Sequence, residues 1–231
     1  MDLFTTLNGW QFLLRYLHFL SGITWIGILY YFNFIQTPFF ASADTAVRSG
    51  MIRGLVPSAL WWFRWGAMFT FLSGWIIVIT KLSQGIGLSD PYMTRILTGG
   101  LMGTFMWGNV WFVIWPAQKV VIASAEQVAS GGEALPEAAG LGARAGLASR
   151  TNTLLSIPML FFMGSASHFT PLNPSLVGWW IIAGLIILLV EINGLVSPGH
   201  VTQKPLGSVW GTITFGFIMT AVLWLLGALL T

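Results

Sequence analysis

The chain of 231 residues is 55% hydrophobic and 7% charged, with a mean hydropathy of +0.78. A water-soluble domain carries about 25% charged residues, so this composition excludes a soluble enzyme. The ten Lys and Arg are scattered among apolar stretches and form no phosphate-binding stripe, which excludes a nucleic-acid binder. No cysteine is present, so disulfides, iron–sulfur clusters and covalently attached haem are excluded as well.

A membrane-crossing helix needs about 20 mainly apolar residues, and the sequence predicts an all-α integral membrane protein, a bundle of about six such helices in one domain. In chain order they cover roughly 10–36, 58–80, 94–116, 151–170, 176–197 and 207–230. The first has no basic leader and a long apolar run, unlike a cleaved signal peptide. Pro38, Pro57, Pro91, Pro116, Pro171, Pro174, Pro198 and Pro205 are expected at helix ends, whereas Pro158 lies inside the fourth span. The stretch 117–150 is read as the one long cytoplasmic loop, whose Ala- and Gly-rich centre, Ser130 to Arg150, reads either as an amphipathic surface helix or as a flexible loop, with Gly131-Gly132 and Gly140 favouring partial disorder. No internal repeat is evident. Arg48, Arg53, Lys119, Arg144, Arg150 and Lys204 fall on one side of the spans, against Lys81, Arg95 and Arg15 on the other. By the positive-inside rule the first side is cytoplasmic, which predicts the bacterial inner membrane with both termini periplasmic.

Ionisable groups within a bilayer are functional candidates, and they gather at two depths. Near the outer face, His18 lies roughly 7 Å and His168 about 12 Å above the midplane, from a rise of 1.5 Å per residue. His200 follows the fifth span on the opposite side and cannot share a metal with His18 in one subunit. Imidazole is a common axial ligand of haem iron, so His18 and His168 are candidate ligands of a b-type haem. Arg15 or Arg95 would then hold the propionates, Gly22 would admit the flat macrocycle and Trp25 would pack on it. The same pair suits copper or zinc, and the plainer alternative is two histidines satisfied by neighbouring helices.

Near the inner face, Asn33, Gln36, Arg64, Asn109, Gln118, Asn152, Glu191 and Asn193 form a second polar cluster. Arg64 and Glu191 are expected to pair, because neither charge is tolerated alone in a bilayer. The cluster reads as a register-fixing pair or as a pocket for a polar substrate or quinone. Of thirteen tryptophans, Trp10, Trp61, Trp62, Trp115, Trp179, Trp180 and Trp210 are expected in interfacial belts, with Trp25, Trp75 and Trp107 deeper. Gly99-x-x-x-Gly103 and Gly207-x-x-x-Gly211 are candidate close-packing faces.

Several stretches carry a family likeness: Arg15-Tyr16-Leu17-His18 through Gly22 and Trp25 to Asn33; Trp62-Phe63-Arg64-Trp65; Asn109-Val110-Trp111 with Trp115-Pro116-Ala117-Gln118; and Arg150-Thr151-Asn152 with Pro158-Met159 and Ser167-His168. Together they resemble the membrane N-terminal domain of the bacterial cytochrome-c-linked urate oxidases. In that family a periplasmic cytochrome c domain follows. This sequence has no Cys-x-x-Cys-His, so the resemblance implies that a separate cytochrome c or another membrane subunit takes the electrons. The first span is also similar to the membrane haem-binding protoporphyrinogen oxidases, which again points to His18. The expected function is thus a membrane electron-transfer component of urate-oxidase type, carrying haem b. The alternatives are a non-catalytic scaffold of a larger complex, possible as a homo-oligomer, and a small transporter.

Overall fold

A computed structural model describes residues 2–169 and 176–230. After a short turn at Asp2–Thr5 come six long helices: α1 (Leu7–Ser42), α2 (Thr45–Ser83), α3 (Pro91–Ala129), α4 (Ala138–Ser165), α5 (Leu176–Leu195) and α6 (Val209–Leu229). A short 3₁₀ segment, Val201–Gly207, joins α5 to α6. No strand occurs among the described residues. Five of the helices are long and apolar enough to cross a membrane; α4 is not among them.

The reason α4 falls short is its position. It packs against α3, α6 and, less extensively, α5 and α1. Its residues Thr151 to Ser156 are buried on every side, and a helix shielded all round needs no lipid-compatible surface. Its small hydroxyls are met locally: Thr151, Thr153 and Ser156 donate to the carbonyls of Leu147, Ser149 and Thr153. The outer helices show the opposite pattern, with Phe19, Ile23, Val177, Ile181, Phe217 and Leu225 exposed where lipid would cover them.

Three expectations from the sequence are corrected. The stretch 117–150 is mostly helix, since α3 runs on to Ala129 and α4 starts at Ala138, leaving only 130–137 as a turn. That turn is fixed by Gly131 at φ +91° and by the Leu135 N–H donating to the Ser124 hydroxyl at 3.0 Å. Pro38, Pro57 and Pro116 do not end helices. Pro38 and Pro116 each follow a six-residue π segment, Tyr31–Gln36 and Asn109–Ile114. The wider turn displaces the carbonyl that a proline ring would meet in an α-helix. Pro57 lies within α2, and the carbonyl it leaves free belongs to exposed Arg53. Trp179 is core rather than belt: it is 2% exposed and its indole N–H donates to the Thr98 hydroxyl at 3.1 Å. Pro91 does open α3 and Pro158 does lie inside α4; Pro171 and Pro174 fall outside the described residues.

Glycines set the closest helix approaches. A Cβ at Gly66 of α2 would meet the Trp25 backbone nitrogen at 3.1 Å, so α1 and α2 nearly touch there. Gly99 of α3 faces the Met159 carbonyl, whereas Gly103 faces open space, so only half of that small-residue motif packs. Gly194 of α5 lies directly on the side chain of Thr151. Gly194→Ala is therefore expected to destabilise the bundle by about 1–3 kcal/mol through overpacking, read as a lower unfolding temperature in detergent. Gly100→Ala, with nothing within 4 Å of the new methyl, should be neutral or slightly stabilising.

Candidate functional site

The inner polar cluster separates into three places. At the centre of the bundle, α3, α4 and α5 meet through side chains. The Asn109 amide donates to the Asn152 carbonyl oxygen at 2.9 Å and to Glu191 Oε2 at 3.1 Å, and Asn152 donates to the Met106 backbone carbonyl at 2.9 Å. All three side chains are at most 4% exposed. The π segment beginning at Asn109 turns this residue inward, and such segments often occur at functional sites.

Arg64 is elsewhere. Its guanidinium lies over the Trp115 ring, 3.9 Å from the centroid, and 6.0 Å from that of Trp111. Among the described residues no hydrogen bond or ion pair joins it to Glu191, which corrects the expected pairing. An aromatic face offers a cation its quadrupole without a second charge, and Glu191 takes an amide donor instead.

The third place is a cleft of about 510 Å³ toward the end of the bundle that carries most of the basic residues. Asn33, Gln36 and Gln118 line it, as the cluster implied, together with Phe32, Phe63 and Leu60 as apolar wall. Asn33 is fixed by donating to the Leu29 carbonyl at 2.9 Å and to the Ser149 hydroxyl at 2.8 Å. Further lining comes from Arg150 of α4, from His200 and from Gln203 and Lys204 of the 3₁₀ segment. Arg150 donates to the Leu206 carbonyl at 3.0 Å and so ties the two elements. Gln203 accepts from the Gly199 and His200 N–H groups, closing the turn in which Gly199 adopts φ +111°. No carboxylate is among the lining residues, so the cleft concentrates positive potential. Sequence reading missed Arg150 and Lys204 as site residues because it spent them as topology signals; it missed Gln203 altogether. The usable signal was the Ser197-Pro198-Gly199 break, which turns the chain back over α4.

At the outer end, His18 is half-buried between α1 and α2. Its Nδ1–H donates to the Thr70 carbonyl at 3.0 Å, with the Ser73 hydroxyl 3.2 Å away. Gly74 leaves room for the ring: a Cβ there would meet His18 Cε1 at 3.0 Å. This arrangement fixes the tautomer and leaves Nε2 free as a ligand atom. His168 is exposed beyond α4, its Nδ1 bonded to the Gly164 carbonyl at 2.8 Å. No hydrogen bond or ring contact joins the two imidazoles. Arg95 is buried, donates to the Phe169 carbonyl at 3.0 Å and lies 5.5 Å from the Trp224 ring centroid. Arg15 is exposed, Gly22 faces the Thr70 side chain at 3.8 Å, and Trp25 is 2% exposed in the core. Among the described residues no three His, Asp or Glu side chains gather as a metal-ligand set.

The fold and these sites define an all-helical membrane bundle with a hydrogen-bonded polar centre and a basic cleft at one end. Residues 92–226 match the family described as Urate oxidase N-terminal, and the chain belongs to that family. No curated protein and no solved structure matches it significantly.

Two measurements follow from this geometry. Asn109→Leu removes the donor of a buried carboxyl and should cost about 1–3 kcal/mol, measured as unfolding free energy in mixed micelles. In a double-mutant cycle, Arg64→Ala and Glu191→Ala should add to within about 0.5 kcal/mol, as non-contacting residues do; a larger coupling would show that they interact.

Proposed function

We propose that this chain is the membrane component of a urate-oxidase-like oxidoreductase of the bacterial inner membrane, with its basic cleft on the cytoplasmic side and both termini periplasmic. The observation that supports a substrate site is the cleft itself, lined by cations and amides without a carboxylate, in a chain of this family. Urate is a flat, anionic heterocycle edged with carbonyl oxygens and N–H groups. Lys204 and Arg150 would neutralise its charge. The amides of Asn33, Gln36, Gln118 and Gln203 can each donate and accept, which suits such an edge. Phe32 and Phe63 supply an apolar wall for the ring face. His200 lies on the same lining.

Among the residues present His18 would hold the iron of a b-type haem, since its Nε2 is free and its ring is held by Thr70. Such a group would supply one-electron transfer toward a separate cytochrome c or another respiratory subunit. His168 is the proposed second imidazole, and Arg15 and Arg95 lie toward the same end for propionates. His18 would hold the iron through a ring fixed by Thr70, so the tautomer set there is part of its proposed role.

Lys204→Gln should weaken urate binding about tenfold, the loss of one charge-assisted hydrogen bond, measured by equilibrium binding to detergent-purified protein; unchanged binding would remove the cleft as the substrate site. A dithionite-reduced minus oxidised spectrum tests the haem. His18→Ala should abolish a b-type signal and His168→Ala should abolish it or convert it to high spin, whereas an unaltered low-spin spectrum in both variants overturns this ligand pair.

A further inference from the structure

Where the seam between α2 and α3 reaches the end of the bundle that carries most of the basic residues, two cations from different helices share one ring. The Arg64 guanidinium of α2 lies 3.9 Å from the Trp115 ring centroid, and the Lys119 ammonium of α3 lies 5.7 Å from the same centroid. Among the described residues neither makes a hydrogen bond or an ion pair. Arg64 is half-buried with only Nε closed off from solvent, and Lys119 is exposed. Two like charges gathered at one ring repel each other. The face of an indole attracts a cation without neutralising it. By contrast, Arg150 donates to the Leu206 carbonyl at 3.0 Å and Lys81 to Gln11 Oε1 at 3.3 Å. What Arg64 and Lys119 lack is an anion, and none of the described carboxylates supplies it.

We infer that Arg64 and Lys119 hold the phosphate of an anionic phospholipid at the rim of Trp115. The site lies on the lipid-facing surface and needs no cavity. Depth selects a lipid over a dissolved phosphate. Arg64 starts about 9 Å inside the apolar run 58–80, and Lys119 about 5 Å outside the run 94–116, at 1.5 Å per residue. Their side chains converge on Trp115, one residue from the end of its run, which is where hydrocarbon gives way to headgroups. Trp61 and Trp62, in the turn before Arg64, are 47% and 58% exposed, as aromatic residues of the interface are. Phe112, one turn deeper than Trp115 on α3, is 70% exposed and offers an acyl chain an apolar contact. Basic groups between helices at a membrane face bind anionic headgroups. The site is distinct from the basic cleft, whose lining includes none of Arg64, Trp115 or Lys119, and it holds or fails independently of urate binding.

The test titrates the full chain in neutral detergent with phosphatidylglycerol or phosphatidylcholine and reads each lipid adduct by native mass spectrometry. The first phosphatidylglycerol is expected to bind about tenfold more tightly than phosphatidylcholine, and Arg64→Gln and Lys119→Gln should each raise its Kd about tenfold. Lys119 is exposed, so its variant answers the question even if Arg64→Gln folds poorly. Arg53→Gln and Arg144→Gln, at exposed cations away from Trp115, should change the Kd less than twofold. No preference for phosphatidylglycerol, or a first Kd that Lys119→Gln leaves unchanged, overturns the proposal. An equal rise in the Arg53→Gln and Arg144→Gln controls also overturns it, in favour of diffuse charge attraction. Displacement of the lipid by an equal concentration of inorganic phosphate overturns it in favour of a soluble anion.

Discussion

The bundle depends on one constraint: every polar group of its central helix must find a partner inside the protein, because lipid and neighbouring helices exclude water. The contact that meets this most sharply is Asn109 with Asn152 and Glu191, three side chains from three helices and all nearly inaccessible. In the interior, an unmade hydrogen bond costs more than a made one contributes. The triad therefore fixes the register of α3, α4 and α5 more firmly than apolar packing could, since leucines slide at little cost and paired amides do not. Around it, Asn33 reaches Ser149 and the Tyr30 hydroxyl meets the Ser156 hydroxyl at 2.9 Å. In this way α1 is registered to the same central helix.

From that register the two ends follow. At one end, α4 carries Arg150 to the mouth of the cleft, and its bond to the Leu206 carbonyl brings the 3₁₀ segment across. Two of the six basic residues from which the orientation is predicted, Arg150 and Lys204, thus also line the cleft. At the other end, the close approach of α1 and α2 at Gly66 and the notch at Gly74 hold His18 against Thr70. Both long helices α1 and α3 use the same device, a π segment followed by proline, to bring an Asn toward the centre and continue beyond it. The recurrence was invisible as a sequence repeat, because the Asn is third in one segment and first in the other, at different spacings from the proline that follows.

Arg64 shows how a correct general argument can select the wrong partner. A charge inside a bilayer does need compensation, and Glu191 has a suitable depth. Depth is one coordinate, however, and helix rotation is the other. Arg64 turns toward α3, where Trp115 offers a ring face, while Glu191 turns toward the α3–α4 centre. Trp179 fails as a belt residue for the same reason: it lies near a helix end by count but faces Thr98 by rotation.

The sequence by itself determined the class and the approximate places of the helices, because these depend on summed hydropathy. It also marked out polar residues that the structure gathers in the triad and the cleft, Asn33, Asn109, Gln118, Asn152 and Glu191, since polar and ionisable groups are costly in apolar stretches wherever they point. Tertiary structure decided the rest. Helix lengths beyond the apolar runs, the helical character of most of 117–150, the shielding of α4 and the sorting of one polar cluster into triad, seam and cleft all depend on which faces meet. Hydropathy is a property of a segment and can be summed along the chain. Facing is a property of pairs of segments, and it is set only when helix rotation and register are fixed together in three dimensions.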